Sequence, residues 1–258
     1  MGTVRSPAVA GSFYPRSADV LRQTVGDLLA AADPAGIDVT PAMLIVPHAG
    51  YVYSGPVAAT AYRSLSSLPS PPRRLVLFGP SHYVGFAGVA TSGASAFQTP
   101  LGLVATDPGP AAGLIDNPTA HAREHSLEVQ LPFLQVVLGS FTVQPMLTGD
   151  IAAEDAAEVL DEALAERHLA VISSDLSHYL AYDEARRRDD ATASAIVELR
   201  AGDLRPGDAC GVIAIQAGLL VARRRDWQCR QVDLRNSGDT AGDRSRVVGY
   251  GAFVIGPT

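Results

Sequence analysis

Short apolar runs alternate along this chain with longer stretches in which apolar residues recur every three or four positions. Met43–Val46 (MLIV), Leu75–Phe78 (LVLF) and Leu169–Ile172 (LAVI) are uninterrupted apolar segments of strand length, and Phe141–Met146 is a fourth β-prone segment. Helical spacing predicts helices over Pro56–Leu65, Ser126–Leu138, Ala153–Glu166, Asp183–Leu199 and Gly211–Ala222, with final strands at Gln228–Leu234 and Arg246–Ile255. The breakers Ser66–Pro72 and Gly79-Pro80 separate elements, and residues 85 to 106 read as short strands and turns. Runs apolar on both faces are what parallel strands require once helices cover each side. The expected fold is α/β: a single domain over residues 1–258, with a mainly parallel central sheet and helices on both faces.

Composition narrows the chemistry. The 258 residues carry a formal charge of −7, and the basic side chains are all arginine. Without lysine there is no Schiff base, no lysine general base and no Walker lysine, and no glycine-rich phosphate loop is present. An acidic chain with no basic stretch argues against nucleic acid as a partner. Two cysteines, Cys210 and Cys229, do not make a secreted disulfide framework. The most apolar stretch, Cys210–Ala222, is too short to span a bilayer, and no signal peptide is legible. The expectation is a soluble cytoplasmic protein with no membrane partner.

The histidines carry the functional signal. His48 follows the first apolar run, His82 the second, and His178 lies just past a third. Ligand sites in open α/β sheets form outside the carboxyl ends of the strands, so three such ends should gather imidazoles at one edge. Two imidazoles and an anionic donor would hold Fe(II) or Zn(II) with positions left open. Asp175, Asp208, Glu124 and Cys210 are the anionic candidates. Cys210 stands at the start of the predicted helix, where a thiolate is stabilised. In His121–Glu128, a chelating His121/His125 pair is the lesser reading; Glu124 and His125 are expected to line the pocket.

The motifs Ala10-Gly11-Ser12-Phe13-Tyr14-Pro15, Pro47-His48-Ala49-Gly50-Tyr51, Gly79-Pro80-Ser81-His82, Glu124-His125-Ser126-Leu127-Glu128, Ser173-Asp175-Ser177-His178 and Cys210-Gly211 occur in this order across nearly the whole chain. Together they resemble the Memo family, known in prokaryotes as the B component of the AmmeMemoRadiSam grouping. The resemblance implies the fold of the class III extradiol ring-cleavage dioxygenases, which use non-haem Fe(II). It also implies His48 and His82 as metal ligands, with Cys210 where a third ligand is expected. Asp175 and His178 match a further pair lining the pocket, the histidine acting as acid/base, and Tyr51 joins Glu124 and His125 as pocket residues.

A thiolate in place of the dioxygenases' carboxylate is softer and favours Cu(I), Zn or a redox-responsive iron site; with the resemblance to iron enzymes, Fe(II) is expected, with Cu or Zn as alternatives. The expected function is a metal-binding redox or oxygenase-related protein acting on a small molecule of unknown identity. The alternatives are a metal-free scaffold or peptide-binding protein, and a Cys-His thiol enzyme using the same pocket. Radical SAM and AMMECR-type proteins are the partners that the resemblance implies.

Overall fold

The computed structural model describes residues 2–33, 36–107, 113–164 and 169–258. Four parallel strands form its centre: β1 (Met43–Val46), β2 (Arg74–Pro80), β3 (Thr142–Thr148) and β4 (Leu169–Ser173), in the order β3-β2-β4-β1. Beyond β1 the sheet turns antiparallel through β6 (Val247–Gly256), which also pairs with β5 (Gln228–Asn236). Beyond β3 it continues through Gly102–Thr106 and Ala96–Thr99 to a two-residue edge strand, Val4–Arg5. The fold is therefore α/β, with a large, mostly parallel mixed sheet.

The residues of β1 divide between two cores. Leu44 and Val46 pack on the face covered by α1 (Ala18–Ala31), α2 (Tyr51–Ser64) and α3 (Leu131–Leu138). Met43 and Ile45 face α4 (Ala153–Ala163), α5 (Tyr182–Val197) and α6 (Val212–Arg224). This period-two split of a continuous apolar run is the signature of a strand buried on both sides. Helix α6 approaches closely because Gly218 faces Ile172; a Cβ there would lie 2.2 Å from Ile172 Cδ1.

Several elements depart from the sequence pattern. Helix α1 was not expected, although Leu21, Val25 and Leu29 recur at helical spacing and are buried. Helix α2 begins at Tyr51, five residues before the predicted start, and carries Pro56 in its interior. The segment predicted as one helix from Ser126 splits into a 3-10 turn, Glu128–Gln130, and α3. Pro132 lies at the start of α3, where its missing N–H costs nothing. Helix α4 ends at Ala163, and the predicted end at Glu166 lies outside the described residues.

A candidate metal centre at the strand ends

The carboxyl ends of β1 and β2 deliver His48 and His82 from opposite sides of β4, whose own end supplies Ser173 and Asp175. The loop before α3 adds His125. One ring nitrogen from each of His48, His82 and His125 lies within 4.8 Å of the others. The rings are mutually packed, His82 stacked on His125 at 4.7 Å between centroids and His48 edge-on to both at 5.1 and 5.3 Å.

What fixes the rings is the hydrogen bonding of their other nitrogens. The Ser173 hydroxyl donates its single hydrogen to Ser126 O (2.6 Å) and accepts from Gln130 Nε2 (2.8 Å). His48 Nδ1, 2.9 Å from the same oxygen, must therefore be the donor, which leaves Nε2 with its lone pair. Glu124 does the same for His82, accepting from His82 Nδ1 at 2.9 Å and His82 N at 2.6 Å. The Glu124 carboxylate also accepts from His125 N and Ser126 N, each at 2.9 Å. Burial alone would raise this carboxyl, but the His82 hydrogen bond and the backbone donors hold it down at about 2. Burial and the neighbouring imidazoles push His48 well below the usual histidine value, and burial takes His125 down to about 4. Neutral imidazoles with oriented donors are what a metal cation needs.

Cys210 borders this group. Its Sγ lies 3.2 Å from His48 Nε2 and accepts from Asp175 N at 3.3 Å. The residue precedes α6, but burial and the nearby Asp175 push the thiol up to about 12, against the expected thiolate. The contact sets the Cys210 thiol against the lone pair of His48 Nε2, an arrangement from which the sulfur can yield its proton to the imidazole or on the arrival of a cation.

The remaining expected residues take distinct places. Asp175 accepts from His48 N at 2.7 Å, and burial raises its carboxyl to about 6. His178 is held instead by Leu176 O, 2.8 Å from Nδ1, so its Nε2 is the free acceptor. Tyr51 is buried, and its hydroxyl donates to Val129 O at 2.6 Å, bracing the loop before α3. Asp208 is paired with Arg188, and His121 is buried against Ala90 O, so neither joins the group. The residues that sequence reading missed are the supporting ones, Gln130 and Tyr83, whose hydroxyl lies 3.4 Å from His125 Nδ1. A buried glutamine beside an apolar helix start was the available signal for Gln130.

The surroundings suit a small ligand. A cleft of about 280 Å³ opens beside Cys210, lined by Ser81, Phe86, Thr148, Asp150 and Ile213 among others. A larger cavity of about 630 Å³, between α1, α2 and β5, is lined by no histidine or cysteine and is not the centre of the chemistry. Exposed tyrosines stand close in sequence to three of the histidines: Tyr53 in the first turn of α2 after His48, Tyr83 next to His82 and Tyr179 next to His178.

The histidine, glutamate, serine and cysteine segments that build this centre run from His48 to Cys210, and the family match extends well beyond them on both sides. A model described as Memo-like protein matches residues 5–254. The chain belongs to the Memo family. A MEMO1 family protein of Aquifex aeolicus is 37% identical, covering 96% of this chain and 97% of the relative. A MEMO1 family protein of Methanopyrus kandleri is 36% identical over 97% of this chain and 98% of its own length. One from Methanococcoides burtonii is 36% identical over 98% of this chain and all of the relative. No helix among the described residues is long and apolar enough to cross a membrane.

Proposed function

We propose that this Memo family chain is a non-haem metal oxidoreductase that holds a divalent, iron-type ion on His48 and His82, with His125 and Cys210 beside them, and acts on a small organic molecule. The observation that carries the reading is the convergence of three imidazole nitrogens within 4.8 Å, two of whose rings have Nδ1 committed to Ser173 and Glu124. Imidazole nitrogens beside a thiol that can give up its proton fit a first-row metal, and the choice of Fe(II) ahead of Cu or Zn follows the resemblance to the non-haem iron dioxygenases rather than the donor set. Such an ion would supply a Lewis-acidic, redox-active centre with positions open to substrate.

The chain's own residues provide the rest. His178, fixed through Nδ1, presents Nε2 as the acceptor for a substrate proton. Asp175 anchors the His48 backbone and so the pitch of the ring. The cleft beside Cys210 gives the substrate an apolar wall in Phe86 and Ile213. Radical SAM and AMMECR-type proteins, implied by the family's grouping, are the proposed partners of a cytoplasmic protein.

Metal content after anaerobic purification tests the reading. Wild-type protein is expected to hold iron near one equivalent and His48→Ala to hold little, with oxygen uptake screened on the loaded form. Trace metal of equal amount in both would overturn it.

A further inference from the structure

We infer that Arg5 is a positioning residue for the metal-binding loop, placing Glu124 and His125 from an edge strand far away in sequence; this rests on the metal reading above. Arg5 pairs with Phe97 in the sheet register, and its guanidinium lies buried over the Phe97 ring, 5.1 Å from the centroid. Its three nitrogens reach three different acceptors. Nε donates to His121 O at 3.1 Å, Nη2 donates to Glu124 O, and Nη1 is ion-paired with Glu128.

The two carbonyls belong to the end of the short helix Pro118–Ala122 and to the residue immediately before His125. His121 O, at the end of that helix, also accepts from backbone amides just beyond it, so Arg5 adds a side-chain hold to a carbonyl already turned towards the loop. The peptide that Arg5 grips is the one whose side chain carries both histidine loops, because Glu124 accepts from His82 Nδ1, His82 N and His125 N. A shift of that peptide therefore moves two metal donors together.

The N-terminal segment closes the clamp from the other side. Glu128 accepts from Ala8 N at 2.7 Å, Val9 N at 3.1 Å and the Tyr14 hydroxyl. The Phe13 ring, between those anchors, packs on His125 with centroids 4.8 Å apart. Three divergent acceptors fit a planar fork and do not fit a single ammonium, so lysine preserves the charge facing Glu128 while losing the grip on the carbonyls.

Cobalt(II) titration against a competing chelator, with the visible spectrum recorded at saturation, tests this in wild type, Arg5→Lys, His125→Ala and the double variant. Arg5→Lys is expected to weaken cobalt binding about tenfold, in the range for residues that orient ligands, and to shift the visible bands. In the His125→Ala background the same substitution is expected to weaken binding by clearly less than in wild type, because of the two donors tied to Glu124 only His82 is left to be displaced, and residues that share a partner do not act additively. A tenfold loss repeated in that background, or wild-type affinity and spectrum in Arg5→Lys, would overturn the inference. Glu128→Gln, which loosens Arg5 without removing it, is expected to give the same pattern at smaller amplitude, and additive losses there would overturn the inference too. Wild-type protein that takes up no cobalt would instead overturn the metal reading, before any variant is compared.

Discussion

Ser173 Oγ and His48 Nδ1 lie 2.9 Å apart, and because the serine has already given its hydrogen to Ser126 O, the imidazole must donate. One hydroxyl thereby selects the tautomer of a histidine brought in by a different strand. Ser173→Ala removes that selection and leaves His48 free to rotate or to protonate at Nε2. The expected result is metal affinity lower by about 10- to 100-fold with the fold retained. A chelator-competition titration alongside circular dichroism reads both quantities, and unchanged affinity would show that the ring is fixed by packing alone.

Acid should destabilise the metal-free protein through buried histidines. His121 is held at about 4 by burial, offset in part by its bond to Ala90 O, against an ordinary value near 6.5. The unfolded chain binds a proton at pH values where the folded chain does not, so the stabilisation is complete above about 6.5 and is lost as pH falls towards 4. The loss is on the order of 3 kcal/mol for this group. Melting temperature against pH should fall steeply across that window in wild type and less steeply in His121→Gln. Parallel curves would exclude His121 as the source.

Proton release should report whether Cys210 joins the ion. Burial and Asp175 keep the thiol protonated up to about 12, so a cation that takes the sulfur at pH 8 must displace a proton. In weakly buffered solution, metal addition to wild type is expected to release about one more proton than addition to Cys210→Ser. Equal release from the two would place the sulfur outside the coordination sphere.

The apolar runs made β1, β2 and β4 legible almost to the residue, since strands buried on both faces leave little ambiguity in pattern. The placement of His48, His82 and His178 after strands followed from that. Helix α1 escaped because its buried stripe of Leu21, Val25 and Leu29 is diluted by polar residues on the solvent side. His125 was legible as a pocket residue, but its approach to His48 and His82 depends on a loop bent by Glu124 accepting the amides that follow it. That bend has no periodicity to betray it. The high thiol value of Cys210 was illegible for a related reason, because depth beneath neighbouring loops is a tertiary property.

His48, His82, His125 and Cys210 come from four separate segments, and the strands behind the first two are held apart by β4, the last strand of the parallel core to be synthesised. No local stretch of the chain can therefore chelate a metal on its own, in contrast to compact finger motifs whose ligands lie within one hairpin and helix. The proposed metal capture would have to await insertion of β4 between β1 and β2, a non-local pairing of the kind that makes folding slow. An ion held as proposed would then be a late arrival to a finished scaffold, and stripping it should leave the chain folded and ready to be reloaded.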